Sequence, residues 1–310
     1  MSDFAGKRVL ITGASGFIGG ALARRLSEEG AIVHGVTRRK PESAGPCERW
    51  WEADLTDSAT VRRTLDEASP DLVFHLAGMV AGARGVELVL PMLQANLIAP
   101  INLLLAAQER GVRLLLTGSL EEAQPDASWP IPASPYAAAK LAAGAYARMF
   151  QSLYGSRAAW LRLFMVYGPG QPDVRKVVPY VTLALLRGES PQLSSGARPV
   201  DWIFIDDVVD AFLAAAVAPD LGAQPLDVGS GRLVTVRAVV EELVRIVDPR
   251  IAPRFGAVAE RPMEQVRVAD VAATTARLGW VPRTPLEVGL RKTVEWYRRH
   301  GPPLGKAQTP

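Results

Sequence analysis

The chain has 310 residues, 48% of them hydrophobic and 22% charged, a balance that excludes wholesale disorder and has room for two closely associated domains. Its charge of +3, from 35 Lys+Arg against 32 Asp+Glu, is mild, and with no basic tract or aromatic ladder nucleic acid is not an expected partner. The single cysteine, Cys47, cannot close an internal disulfide, and neither a run of about 18 apolar residues nor a signal-peptide pattern is evident, so the expectation is a cytoplasmic protein with no membrane partner.

Residues 8–12 (RVLIT) form a short run of β-branched and aliphatic residues that breaks at Gly13, and a helical pattern follows over 21–30. Gly13, Gly16 and Gly19 fall three apart, one residue off the G-x-G-x-x-G spacing. A strand turning sharply into a helix needs glycine where the backbone bends, and a dinucleotide pyrophosphate needs bare N–H groups at the positive end of that helix. The stretch therefore predicts a nucleotide-binding unit.

Residues 31–37 read as a second parallel strand. An acidic residue about 20 positions past the glycines would bond the adenosine ribose. Here that place falls near Thr37, which is followed by Arg38, Arg39 and Lys40. A hydroxyl followed by cations suits a 2′-phosphate, so NADP(H) is the expected cofactor and NAD(H) the alternative. Strand-like residues 50–57 and 71–78 flank a helical stretch, 58–68, and this alternation predicts a parallel, doubly wound sheet. His75 reads as a packed strand-end histidine. Residues 91–111 predict a long helix with Pro at its start and Gly at its end. A strand over 112–119 then brings Ser119 to the carboxyl edge of the sheet.

Ser134 is a candidate N-cap and Pro135 suits the first helical position. Tyr136 and Lys140, four apart, share a helical face. A phenol near pKa 10 is a poor acid or base at neutral pH, and a neighbouring ammonium is expected to lower it. No metal is expected.

With these motifs the chain resembles the extended short-chain dehydrogenases/reductases, and within them the nucleotide-sugar epimerase/dehydratase/reductase group. The likeness runs over nearly the whole length. TGASGFIG is similar to the cofactor loop, which implies cofactor roles for Gly13, Ser15, Gly16, Phe17, Ile18 and Gly19. Asp54 and Leu55 resemble the strand end that meets adenine. Leu76, Ala77 and Gly78 in HLAG, with Asn96, resemble the cofactor wall, and RLFMVYGPGQ, with Phe164 and Val166, the segment passing the nicotinamide. Ser119, Tyr136 and Lys140 match the catalytic Ser/Thr, Tyr and Lys, the last two also touching cofactor. PVDWIFIDDVVDA and residues 266–298 resemble two further family stretches.

The resemblance implies a Rossmann-type doubly wound α/β domain over 1–165, with parts of 200–231 returning to it, and a smaller C-terminal substrate-binding domain made mainly of 166–300. The tail 301–310 is expected to be disordered. For a nucleotide-diphosphate sugar, Arg261 matches the arginine that meets the diphosphate. Arg198, Lys176 and Gln192 are further candidates, and homodimerisation is implied through helices 91–111 and 136–154.

Two departures stand out. LEEAQ follows Ser119 where the family usually carries a Val-Tyr-Gly, and Tyr136 lies 17 positions beyond Ser119, a short interval. In dehydratases an Asp-Glu pair follows the Thr. Here Leu120 and Glu121 stand there, keeping Glu121 beside the substrate but losing the acid, so dehydration is not expected. The leading expectation is an NADPH-dependent reductase of a nucleotide-linked keto-deoxysugar, with a 4-epimerase as the alternative and a cofactor-binding regulator as the third class.

Overall fold

β1 (Arg8–Thr12) buries Val9, Leu10, Ile11 and Thr12 in succession, the pattern of a strand covered on both faces. In this computed structural model, which describes residues 2–39, 41, 45–80, 83–122, 131–260 and 263–302, β1 turns through Gly13 into α1 (Phe17–Glu28). The strand β2 (Ile32–Thr37), β3 (Arg49–Glu52), α2 (Ser58–Ala68) and β4 (Leu72–His75) follow. Asp57 caps α2 by accepting from the Ala59 N–H, as its short carboxylate at the helix entry allows.

The long helix begins earlier than the sequence indicates. A 3₁₀ turn at Val86–Leu88 leads into α3 (Val89–Leu93), a π-helical turn at Gln94–Ile98 and α4 (Ala99–Arg110). Gly111 ends it at φ 63°. By length and composition Val86–Arg110 is apolar enough to cross a membrane. Two of its polar residues are fixed to protein: Asn96 donates to the Met79 carbonyl (2.9 Å) and Asn102 to those of Leu55 and Thr56 (2.9 and 3.0 Å). β5 (Arg113–Ser119), α5 (Pro135–Tyr154) and β6 (Ala158–Leu163) complete this part.

Beyond it come β7 (Met165–Tyr167), α6 (Val177–Leu186), β8 (Gln192–Leu193), β9 (Pro199–Phe204), α7 (Ile205–Val217) and β10 (Leu226–Val228). β11 (Leu233–Thr235), α8 (Val236–Val247), β12 (Arg254–Phe255), α9 (Val271–Leu278) and α10 (Leu286–His300) end the described chain. Two compact units result. One holds the residues up to Leu163 with Val209–Asp227 and Ala272–Trp280; the other holds Phe164–Val208, Val228–Val271 and the residues from Val281 onward.

The first unit is built on a seven-stranded sheet in the order β10-β6-β5-β4-β1-β2-β3, whose pairs from β6 to β3 are parallel. This is the Rossmann-type doubly wound α/β fold, and the order reverses between β1 and β4. Ligands of such sheets bind outside the carboxyl ends of the strands at that reversal. One face buries Leu10, Val73, Leu114 and Leu116 against Leu103, Leu104, Ala147 and Phe150, each large aliphatic contributing about 1.5–3 kcal/mol. In the second unit β7 and β11 flank β9, and β8 pairs with β12. Its buried Asp201 accepts main-chain N–H groups from Ser230, Gly231 and Ala269 (2.6–3.0 Å).

Candidate active site

The glycine loop is fixed by close approach. Gly13 adopts φ 73°, and a Cβ there would lie 2.7 Å from the Ala77 nitrogen; one on Gly19 would overlap the Gly13 carbonyl. Gly16 is the residue before α1, with no side chain over the first N–H groups of the helix. Ser15 is exposed, and Phe17 and Ile18 are half-buried. At the ends of β2 and β3, Arg38 is exposed and Asp54 accepts from the N–H and hydroxyl of Thr56 (2.9 and 2.8 Å). Those two bonds hold the Asp54 carboxyl below its usual range, with a smaller contribution from Arg38. Thr37 turns its hydroxyl to the Arg39 carbonyl (3.0 Å). Leu55 packs against the core. Lys40 lies outside the described residues.

At the reversal point β4 runs into Leu76, Ala77 and Gly78. Asn96, fully buried in the π-helical turn, has an Oδ1 without a hydrogen-bond partner among the described residues. A Cβ on Gly78 would sit 2.8 Å from that oxygen and 3.9 Å from Lys140 Nζ. The glycine therefore keeps open a space lined by a buried acceptor and a cation, which fits a cofactor ribose.

Ser119, Tyr136 and Lys140 are brought together here. Ser134 accepts from the Ala137 N–H (3.1 Å) and starts α5 one residue before Tyr136. Lys140 reaches across to β5 and donates to the Thr117 carbonyl (2.8 Å). Its burial lowers the ammonium pKa to about 8, opposed by the Glu122 charge. Tyr136 differs from expectation. Its pKa rises because burial disfavours the phenolate, the Ser119 hydrogen bond works the other way, and Glu121 and Glu122 add to the rise. The Lys140 ammonium is 6.0 Å from the Tyr136 ring centre and spends its bond on Thr117, so the expected lowering by Lys140 is replaced by a rise from desolvation.

Two threonines missed in the sequence tie the loops together. Thr12 accepts from the Ala77 N–H (3.2 Å) and hydrogen-bonds His75 Nδ1 (2.7 Å), while Thr117 donates to the His75 carbonyl (3.2 Å). Their signal was only a hydroxyl in the last residues of each strand. His75 is a buried packing residue: burial, and secondarily Lys140, push its pKa from 6.5 to about 3. The unfolded chain binds a proton below about pH 6.5 that the folded chain refuses until about 3. Stability should thus be full above 6.5 and fall toward acid by up to about 1.4 kcal/mol per pH unit. Urea midpoints between pH 6.5 and 5 should show that slope, and His75→Asn should flatten most of it. An unchanged slope contradicts the assignment.

Glu121, half-buried, donates its N–H to the Ser119 hydroxyl (3.2 Å); the other candidates lie in the second unit. Phe164 is buried and donates its N–H to the Val228 carbonyl (3.1 Å), and Val166 sits on β7. Lys176 precedes α6 and Gln192 is exposed on β8. The Arg198 guanidinium pairs with Glu264 (3.0 Å) and donates to the Gln265 carbonyl (2.8 Å). Arg261 lies outside the described residues, as do Ala123 and Gln124 of LEEAQ and residues 303–310 of the tail.

Residues 9–229 match the family described as the NAD dependent epimerase/dehydratase family. The UDP-glucose 4-epimerase of Mycolicibacterium smegmatis is 33% identical over 94% of this chain and 98% of its own. Among solved structures, the UDP-glucose 4-epimerase of Thermotoga maritima with UDP-glucose is 28% identical with a TM-score of 0.83, covering 94% of this chain and 98% of that one. The Thermus thermophilus UDP-glucose 4-epimerase in complex with NAD is 27% identical with a TM-score of 0.81, covering 94% and 99%.

Proposed function

The chain belongs to the NAD-dependent epimerase/dehydratase family, and from that premise we propose that it is a nucleotide-sugar 4-epimerase working through a bound nicotinamide dinucleotide. The observation that carries this reading is the Ser119, Tyr136 and Lys140 cluster, set where the strand order reverses in a chain matched end to end by such an epimerase. It turns the sequence expectation round: the relatives support the alternative better than the reductase. Leu120, 6% exposed and bonded through its N–H to the Leu163 carbonyl, stands where a dehydratase would need a proton donor.

A nicotinamide held at the loop supplies hydride acceptance and return at the sugar carbon. Gly13, Gly16 and Gly19 would let the pyrophosphate approach the first N–H groups of α1, Asp54 would meet the adenosine end, and Asn96 and Lys140 would hold the nicotinamide ribose. Tyr136 takes the proton of the sugar hydroxyl at its phenol oxygen and gives it back after the ring has turned. Ser119 hydrogen-bonds that oxygen and steadies the charge passing through it. Burial raises the Tyr136 pKa and the Ser119 hydrogen bond opposes that rise, so the resting phenol first gives its own proton to solvent and only then takes one from the sugar. Glu121, Lys176, Gln192, Arg198 and Arg261 remain the candidates for holding the nucleotide sugar.

The test is to incubate the purified protein with UDP-glucose and separate the products. Interconversion with no cofactor added supports the epimerase. Turnover only of keto sugars, with NADPH consumed, overturns it and restores the reductase. One observation keeps that second reading in view: the exposed Arg38 beyond a neutral Thr37 suits a 2′-phosphate.

The same proposal includes a homodimer. Leu90 and Leu153 are each 68% exposed, and Leu105, Tyr146 and Tyr154 are exposed too, giving the helices flanking this site apolar surface. Light scattering should show a dimer for the wild type and a monomer for Leu90→Arg/Leu153→Arg. A monomeric wild type at micromolar concentration contradicts it.

A further inference from the structure

Glu122 stands three residues past Ser119 and is 3% exposed. Its Oε1 accepts from the Ser119 main-chain N–H (2.8 Å) and the Trp160 indole N–H (3.0 Å), and its Oε2 accepts from Arg162 Nε (3.0 Å). Three donors converge on two oxygens, and none of them accepts. Such a setting selects the ionised carboxylate over an acid or an amide, either of which would point an N–H or O–H at another donor. Arg162 also donates to the buried Asp227 (2.8 Å). Two carboxylates then flank one guanidinium, and the trio keeps one negative charge in excess.

The buried cation on the neighbouring helix is Lys140, 4% exposed. Its Nζ lies 5.9 Å from the ring centre of Trp160, the residue whose indole N–H is bonded to Glu122. Gly118 and Gly144 make room for this arrangement. A Cβ on Gly118 would collide with both Glu122 Oε1 and the Trp160 nitrogen, and one on Gly144 would lie 3.1 Å from the indole ring.

We propose that Glu122 is a positioning residue of the Ser119, Tyr136 and Lys140 set, fixing the main chain at Ser119 and serving as the buried counter-charge of Lys140. The inference rests on the reading that these three residues do the chemistry, and on no particular substrate. An ammonium taken out of water is driven to give up its proton, and a nearby carboxylate opposes that. Among the described residues, the groups around Lys140 are few. α5 contributes Tyr136, β4 the neutral His75, β5 the Thr117 carbonyl, and the π-helical turn Asn96. The chain after β5 contributes Glu122 and, facing Tyr136, Glu121. β6 contributes Arg162, which stands behind Glu122 with Asp227 beyond it. Burial brings the Lys140 pKa down to about 8 and Glu122 pulls it back up. Removing the Glu122 charge should therefore let Lys140 lose its proton at lower pH.

The experiment is an NMR pH titration of isotope-labelled lysine side chains in the full chain without substrate, with the Lys140 signal identified by its absence in Lys140→Arg. Glu122→Gln should lower the Lys140 midpoint by about one pH unit, while Glu122→Asp, which keeps the charge, should leave it near the wild-type value. Both substitutions disturb the packing and should lower the melting temperature, so melting alone does not discriminate. If Glu122→Gln does not accumulate as folded protein, Asp227→Asn tests the same charge balance from its far end and should shift the midpoint in the same direction by less. An unchanged midpoint in Glu122→Gln, or in Asp227→Asn standing in for it, overturns the proposal. No sugar is turned over in this measurement, so its failure leaves the epimerase reading untouched, and failure of that reading leaves this result standing.

Discussion

Tyr136→Phe is expected to lower turnover by about 100-fold or more while leaving cofactor affinity close to that of the wild type. The substitution keeps the ring, which is 8% exposed, and removes only the oxygen that exchanges the proton. The phenol is hydrogen-bonded to Ser119, so the variant strands one hydroxyl but opens no cavity. Lys140, anchored on the Thr117 carbonyl, stays in place for the ribose. Fluorescence titration of the reduced cofactor and initial rates on the sugar substrate separate the two effects. Near-normal rates in the Phe variant contradict the assignment, and a matching loss of cofactor affinity would mean the ring and not the acid was needed.

Gly13→Ala should abolish cofactor binding and destabilise the first unit by several kcal/mol. Two costs add. At φ 73° a non-glycine residue sits in the left-handed region, worth about 1–2 kcal/mol. The new methyl would also meet Leu76 and Ala77 main-chain atoms at 2.7–2.9 Å, distances that backbone cannot relieve without moving β4. Gly111→Ala is the control: it has a similar φ of 63° with nothing within 4 Å of a Cβ, so it should show the conformational cost alone. Equal unfolding free energies for the two variants would remove the close-approach argument.

Much of the first unit was legible because its signals are local. The RVLIT run predicts a strand, three spaced glycines mark the turn, and the i, i+4 spacing of Tyr136 and Lys140 places both on one helical face. Each depends on neighbours a few residues away. What escaped depends on distant ones. The π-helical turn that buries Asn96 follows from the close approach of Gly78 and Met79, which nothing in residues 91–111 announces. LEEAQ reads only as a departure from the family pattern, and Glu122 is buried because Trp160 and Arg162, on the next strand, bring it donors. The direction of the Tyr136 shift was misjudged for the same reason: spacing reveals the ammonium four residues away but not the desolvation that outweighs it. Arg198 reads as a candidate for the diphosphate, and only the fold brings it the Glu264 carboxylate, 66 positions on.

The central claim, that a hydride leaves and returns to the same sugar carbon within one active site, is tested most directly with UDP-glucose deuterated at carbon 4. The labelled sugar is incubated with the protein alone, and the separated product is weighed by mass spectrometry. The account predicts an epimer that keeps its deuterium at carbon 4, with no added cofactor consumed. Loss of the label from the product, or no conversion at all while keto sugars are reduced at the expense of NADPH, would contradict it.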